Sequence, residues 1–394
     1  MRYAALTDRL ADLGSAKWEI HLKARAMTAA GLPVLALSIG EPDVPPPPEL
    51  LARAQEAMLA GRHGYSNGRG EPGLVEALAA RYTRRSGRAI GTDQIVCLPG
   101  TQTCLYAVLQ TLVGPGDAVL VGDPMYATYE GVVASTGADV VAVPLRPEHG
   151  FRMQAADLVA RITPQSRAVL LNTPHNPTGA VLTREDVAAI GAVALAHDLW
   201  IVCDEVYEEL IFDGGAFASP LDHPGLAERT VVMASISKSH AAPGFRSGWC
   251  VGPAAFAARL LPVAETMLFG NQPFIADMTA LAVSRPSAVA RDMARRYAGR
   301  AGLIHRMLHG NHLRVHLPQA GMFALVDVRA TGLSGNEFAR RLLEQDLVAV
   351  MPGESFGATL AGWLRVSLTR PDEEIAEACR RMAAFAARRM EEQG

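Results

Sequence analysis

Short apolar runs rich in valine, isoleucine and leucine recur through most of this chain, at 34–39, 95–98, 118–121, 140–143, 168–171, 200–203, 231–234 and 249–251. Several are continuous, without a polar residue at every second position. A strand with one wet face alternates. A continuous run suits a strand covered on both faces, as in a parallel or mixed sheet between helices. Helix-like segments lie between the runs, at 104–112, 184–197 and 254–268. Strand and helix in repetition predict an α/β fold.

Two places break that rhythm. Glu41-Pro42-Asp43-Val44, followed by Pro45-Pro46-Pro47-Pro48, makes a stiff extended connector. Pro286 opens a long arginine-rich helical stretch to about residue 309. Strand-like segments follow at 323–328, 348–351 and 363–368, and then a terminal amphipathic helix. The breaks predict an N-terminal arm (1–45) that joins a small domain, a large central domain (46–285), and a C-terminal small domain (286–394).

Composition narrows the function. The 394 residues carry 37 Lys and Arg against 40 Asp and Glu, a net charge of −3, without the basic excess of a general nucleic-acid binder. A chain that is 49% hydrophobic and 20% charged is not a disordered one. The 5 cysteines are odd in number and form no Cys-x-x-Cys, so neither a disulfide framework nor a metal centre is expected. The N-terminus does not read as a signal peptide, and no stretch nears the ~20 apolar residues that span a bilayer. A cytoplasmic protein without membrane contact is the expectation. Lysine is scarce: it occurs only at Lys17, Lys23 and Lys238, and every other basic residue is arginine. Arginine does not deprotonate in proteins, so any amine chemistry falls to one of these three.

Gly68-Arg69-Gly70-Glu71-Pro72-Gly73 fits G-x-G-x-x-G, but polar His63-Gly64-Tyr65-Ser66-Asn67 stands where a dinucleotide fingerprint needs a strand. A glycine-rich loop entering a helix accounts for it better. The chemistry lies elsewhere. Lys238 closes the apolar run 231–234 through Ser235-Ile236-Ser237. Desolvation there would favour the neutral amine that attacks carbonyls. Asp204 and Tyr207 leave the run 200–203, and Asn176 follows 168–171. Pro99-Gly100-Thr101-Gln102 opens a helix after 95–98, offering free amides to a phosphate. Four strand-end loops thus present an anion cradle, an amide, a carboxylate with a phenol, and an amine, on the edge where α/β folds bind ligands. These are the groups that pyridoxal phosphate needs.

With these pieces in order, the chain resembles the class I and II aminotransferases of the aspartate aminotransferase superfamily, over nearly its whole length. The matching pieces are Ser38-Ile39-Gly40-Glu41-Pro42-Asp43, Tyr65 with Gly70, Pro99-Gly100-Thr101, Asp123-Pro124 with Tyr126, Asn176-Pro177-Thr178-Gly179, Asp204-Glu205-Val206-Tyr207, Ser235-Ile236-Ser237-Lys238 with Arg246, Pro352-Gly353 with Phe356-Gly357, and Arg365-Val366-Ser367. The resemblance implies the fold type I of pyridoxal-phosphate-dependent transferases. That fold has a large domain with a mixed, mostly parallel seven-stranded sheet between helices, and a smaller α+β domain from the N- and C-terminal segments. It implies ping-pong transfer of an α-amino group to a 2-oxo acid. Lys238 would be the Schiff-base lysine and proton shuttle, and Asp204 the partner of the pyridine nitrogen. Tyr207 and Asn176 would hydrogen-bond the ring oxygen, and Tyr126 would stack on the ring. Thr101, Gln102, Ser235 and Arg246 would hold the phosphate. Tyr65 would reach the phosphate of the neighbouring subunit, making a homodimer with shared sites. Arg365, backed by the Gly40 amide, would clamp the substrate carboxylate.

Aspartate-specific relatives of this kind carry a lysine where Gln102 stands, which counts against aspartate. Ala16-Lys17-Trp18-Glu19-Ile20-His21 lies where the family contacts substrate side chains, and it resembles the arginine:pyruvate transaminase subgroup. A donor guanidinium would find an aromatic face in Trp18 and an ion partner in Glu19; packing of Trp18 and Ile20 on the core is the competing reading. An aspartate, aromatic or broad aminotransferase is the alternative within the family. A C–S lyase or decarboxylase on the same cofactor is the alternative outside it.

Overall fold

The computed structural model describes residues 1–11, 13, 15–268, 270–310 and 312–393. Its centre is a seven-stranded sheet built from the continuous apolar runs. The strands lie in the order Ile95–Leu98, Gly248–Val251, Thr230–Ser235, Trp200–Asp204, Ser166–Asn172, Ala118–Asp123, Asp139–Pro144. Every pairing is parallel except the two made by Gly248–Val251. Two hydrophobic clusters cover the two sides of these strands, which explains why the runs do not alternate. One includes Ile95, Cys97, Val169, Ile201 and Val232, and the other Val96, Leu98, Ala168, Val202 and Val231. Neighbouring residues of one strand enter opposite clusters, as a period of two requires.

A third cluster joins Ile20, Ala24 and Leu37 from the start of the chain to Tyr297, Leu342, Leu364 and Phe385 near its end. Around it lie helices Ala288–Leu308, Gly335–Asp346 and Asp372–Gln393 and a four-stranded antiparallel sheet. In that sheet Phe323–Asp327 pairs with Trp363–Ser367 and with Arg314–His316. The run 34–39 behaves differently from the others. Only Leu35–Ala36 is strand, and it pairs in parallel with Val348–Ala349 rather than joining the large sheet. Helix Glu19–Ala29, just upstream, packs with the C-terminal cluster and draws this segment away from the large sheet.

The glycine-rich decoy is a loop entering helix Pro72–Ser86, with Asn67 Oδ1 accepting from the Arg69 and Gly70 amides. Gly70 is at φ 117°, and a Cβ there would meet the Cys97 Cβ at 2.7 Å. Among the described residues no helix is long and apolar enough to cross a membrane.

Candidate active site

Five strand ends meet at one edge of the large sheet, because parallel strands deliver their following loops to the same side. A cavity of about 330 Å³ opens there. Its wall includes Thr101, Gln102, Tyr126, Asn176, Asp204, Tyr207, Ser235, Lys238, Arg246, Gly40, Arg365 and Trp18. Tyr65 and Glu19 do not line it. Tyr65 is 96% exposed and Glu19 is exposed beside Trp18. Trp18 is the N-cap of helix Glu19–Ala29 and Glu19 its first residue, whose side chain faces solvent.

Lys238 lies in the one-turn helix Ile236–Ser239 that follows strand Thr230–Ser235. Its Nζ donates to the Gly40 carbonyl at 2.8 Å. Burial pushes its pKa down from 10.5 to about 8, with Glu41 opposing the shift and Arg365 and Arg246 adding to it. Burial thus favours the neutral amine more than water does. Lys17 and Lys23 instead hold their ammonium groups against Glu130 and Glu344.

Asp204 ends its strand with both carboxylate oxygens engaged. Oδ1 accepts from the Val206 amide at 3.1 Å, and Oδ2 accepts from the Tyr129 hydroxyl at 2.8 Å. Burial raises its pKa to about 6, and the Tyr129 bond is the first of the contacts that restrain the rise. Tyr129 was not singled out in the sequence. It also meets Tyr126 edge to face, with ring centroids 5.6 Å apart. Asn172 donates to the Asp204 carbonyl at 3.0 Å and accepts from the Asn176 amide at 2.8 Å, tying two loops together.

The anion cradle is formed by helix Thr101–Leu112, which has no side-chain cap, so its first amides point unclaimed toward the cavity. Gly100 is at φ 86°, and a Cβ there would meet Arg246 Nη2 at 2.2 Å. Glycine is what lets the guanidinium lie over the helix start. The Thr101 hydroxyl oxygen is buried without a partner among the described residues.

Arg365 is 2% exposed, on strand Trp363–Ser367. Nη1 donates to Asn176 Oδ1 at 3.1 Å and Nη2 to the Ser38 carbonyl at 2.8 Å. Its guanidinium carbon stands 3.8 Å from the Phe323 ring centroid and 4.3 Å from that of Phe356. Burial lowers its pKa to about 10, and no carboxylate among the described residues is a cause that offsets it. The Nε is buried and has no partner among the described residues. A buried cation with no anion is costly, so this is a site built for an anionic ligand. Gly40 is needed beside it, because a Cβ there would meet Phe323 Cζ at 2.2 Å. His175, beside Asn176, is held by Thr178 Oγ1 at 2.8 Å, and burial lowers its pKa to about 4. A packed, neutral ring suits that environment better than a general base does.

The cavity thus presents a depressed-pKa primary amine, a buried carboxylate, an uncapped helix start with an unsatisfied hydroxyl, and an uncompensated arginine. This donor set fits pyridoxal phosphate with an amino acid beside it: an aldehyde, a ring nitrogen, a phosphate and a carboxylate each have a matching group.

Comparison with known proteins agrees. The model of the family "Aminotransferase class I and II" matches residues 33–382. The chain is 46% identical over 388 residues to an arginine–pyruvate transaminase of Pseudomonas aeruginosa, covering 98% of each. It is 32% identical to an aspartate/prephenate aminotransferase of Cereibacter sphaeroides, covering 98% of this chain and 99% of that one. Among solved structures it superposes on the aspartate aminotransferase of Thermus thermophilus with maleate at a TM-score of 0.91 and 30% identity, over 98% of this chain and 100% of that one. The chain belongs to the class I and II aminotransferases, a family that uses pyridoxal phosphate to move an amino group from an amino acid to a 2-oxo acid.

Proposed function

We propose that this aminotransferase takes its amino group from L-arginine and delivers it to pyruvate, releasing 5-guanidino-2-oxopentanoate and L-alanine. The observation that carries the donor and acceptor is the 46% identity to an arginine–pyruvate transaminase across 98% of both chains. The cavity is compatible with it. Trp18 offers an aromatic face to a guanidinium, and Glu41 contributes a carboxylate to the lining. Glu19 does not fill that role, because it stands outside the cavity.

When bound, pyridoxal phosphate supplies an aldehyde that takes up the amino group and a ring that withdraws electrons from the substrate Cα. In this reading Lys238 Nζ carries the proton off the substrate Cα and returns it on the acceptor side, a task for which its lowered pKa is suited. Asp204 would hold a proton at the ring nitrogen. Tyr207 and Asn176 would hydrogen-bond the ring oxygen, and Tyr126 would stack on the ring. The amides of Thr101 and Gln102, with Ser235 and Arg246, would hold the phosphate. Arg365 fixes the substrate carboxylate in two bonds, leaving the Cα–H as the bond presented for cleavage. The enzyme works as a cytoplasmic homodimer in which Tyr65 reaches across to the neighbouring subunit. Its exposure, just upstream of helix Pro72–Ser86, supports that placement. The five cysteines are buried free thiols, in keeping with a reducing compartment.

A panel of amino donors with pyruvate and with 2-oxoglutarate tests the assignment. L-Arginine with pyruvate should give the highest kcat/KM. An inert arginine beside a rapid aspartate or aromatic donor would overturn the substrate and leave the family intact.

A further inference from the structure

Trp18 sits on a short turn, Ser15–Trp18, that reaches the cavity from the N-terminal segment rather than from the sheet. The indole packs against the large-sheet core, and the turn that carries it is anchored from outside the cavity. Three segments meet at the residue before it. The Lys17 ammonium donates to Glu130 Oε2 at 2.6 Å and to the Ala127 carbonyl at 3.4 Å. The Lys17 carbonyl accepts from Ser355 Oγ at 3.0 Å. Ala127 and Glu130 flank the start of helix Tyr129–Ser135, next to Tyr126. Ser355 belongs to the turn Gly353–Phe356, whose Phe356 faces Arg365. The Lys17 side chain is 19% exposed and that of Glu130 is 40% exposed. The pair is therefore partly desolvated, although neither partner touches the cavity.

We propose that Lys17 is a positioning residue for donor choice: its ammonium and carbonyl clip Trp18 between the Tyr126 loop and the Phe356 turn, setting the wall against which a long cationic side chain rests. This rests on the reading of Trp18 as the wall for the donor side chain. The clip acts on selectivity alone, since Lys17 contacts none of Lys238, Asp204 and Arg365. Lys23 serves as a control. It is another N-terminal lysine in an ion pair, but its partner Glu344 is on a helix of the C-terminal cluster.

The test uses the holoenzyme. In Lys17→Ala the KM for L-arginine should rise about fivefold at unchanged kcat, the scale of a half-exposed ion pair. The KM for L-alanine in the reverse direction should stay at the wild-type value, because a methyl group does not reach the wall. Glu130→Gln should reproduce the effect, Lys17→Arg should rescue most of it, and Lys23→Ala should show none. Hydrogen exchange of the 17–20 backbone amides should speed up in Lys17→Ala and Glu130→Gln. An unchanged arginine KM, a parallel rise for arginine and alanine, or unchanged exchange overturns the clip. Trp18→Ala separates the two ideas. If it binds arginine as wild type does, the wall reading falls and the selectivity role of Lys17 falls with it, while the exchange data still decide whether the clip exists.

Discussion

The two ends of the cavity are held by different physics. At the sheet edge, Asp204, Asn176 and Lys238 stand within a few residues of strands whose hydrogen-bonded neighbours fix them; Asn172 and Asp204 are themselves register partners. Their surroundings are buried, their pKa values are displaced, and their hydrogen bonds interlock. At the other end, Trp18 packs against the large-sheet core from a short turn that a partly exposed ion pair and one hydroxyl contact hold. The first end cannot shift without disturbing the sheet. The second can change at the cost of about a kilocalorie per contact. One frame can thus serve different donors, as the arginine–pyruvate and aspartate/prephenate relatives indicate.

Breaking the rigid end should have the largest effects. Lys238→Ala should lower kcat by about 10³-fold or more, since it removes the proton carrier; single-turnover absorbance with L-arginine measures it. Arg365→Leu should lower kcat/KM by about 10²–10³-fold for every donor alike, because it removes a buried, doubly hydrogen-bonded anion partner. Thermal unfolding should show little net change, since relief of the buried cation is opposed by the Asn176 Oδ1 and Ser38 carbonyl left without their donor. Trp18→Ala, at the soft end, should raise the KM for arginine by about three- to thirtyfold, the range of a cation–π contact. A loss as large as that of Arg365→Leu would erase the distinction between the two ends.

The smallest predicted effect sharpens the rigid end. Tyr129→Phe removes the donor to Asp204 Oδ2, so the Asp204 pKa should climb above about 6 by about one further unit. In the cofactor-free protein, isotope-edited infrared of the carboxyl band reads this directly. The linkage has a definite sign. The folded pKa lies above the unfolded 3.8, so the native state holds the extra proton and stability falls as pH rises from about 4 through 6. In Tyr129→Phe that fall should extend to higher pH, and in Asp204→Asn it should vanish.

What the sequence revealed follows the same division. Continuous apolar runs make the sheet legible because burial on both faces writes itself into composition. The strand-end residues inherit their position from the strands, so the order of the runs places Lys238, Asp204 and Asn176 on one edge. Contacts between distant segments leave no such mark. Nothing local tells Tyr129 that it will meet Asp204, 75 positions away. The aromatic faces on Arg365 come from Phe323 and Phe356, on a partner strand and a separate turn. The run 34–39 looks like its neighbours, yet the packing of helix Glu19–Ala29 pulls it to the C-terminal cluster. The sequence pairs Trp18 with Glu19, but which of two neighbours faces the cavity depends on how helix Glu19–Ala29 docks on the C-terminal cluster.

The central claim is that one lysine of three, at the rigid end, carries the amine chemistry. Borohydride treatment of the holoenzyme, followed by peptide mapping, tests it most directly. The account predicts a pyridoxyl group on Lys238 and unlabelled Lys17 and Lys23. Label on either N-terminal lysine with Lys238 unmodified would contradict it.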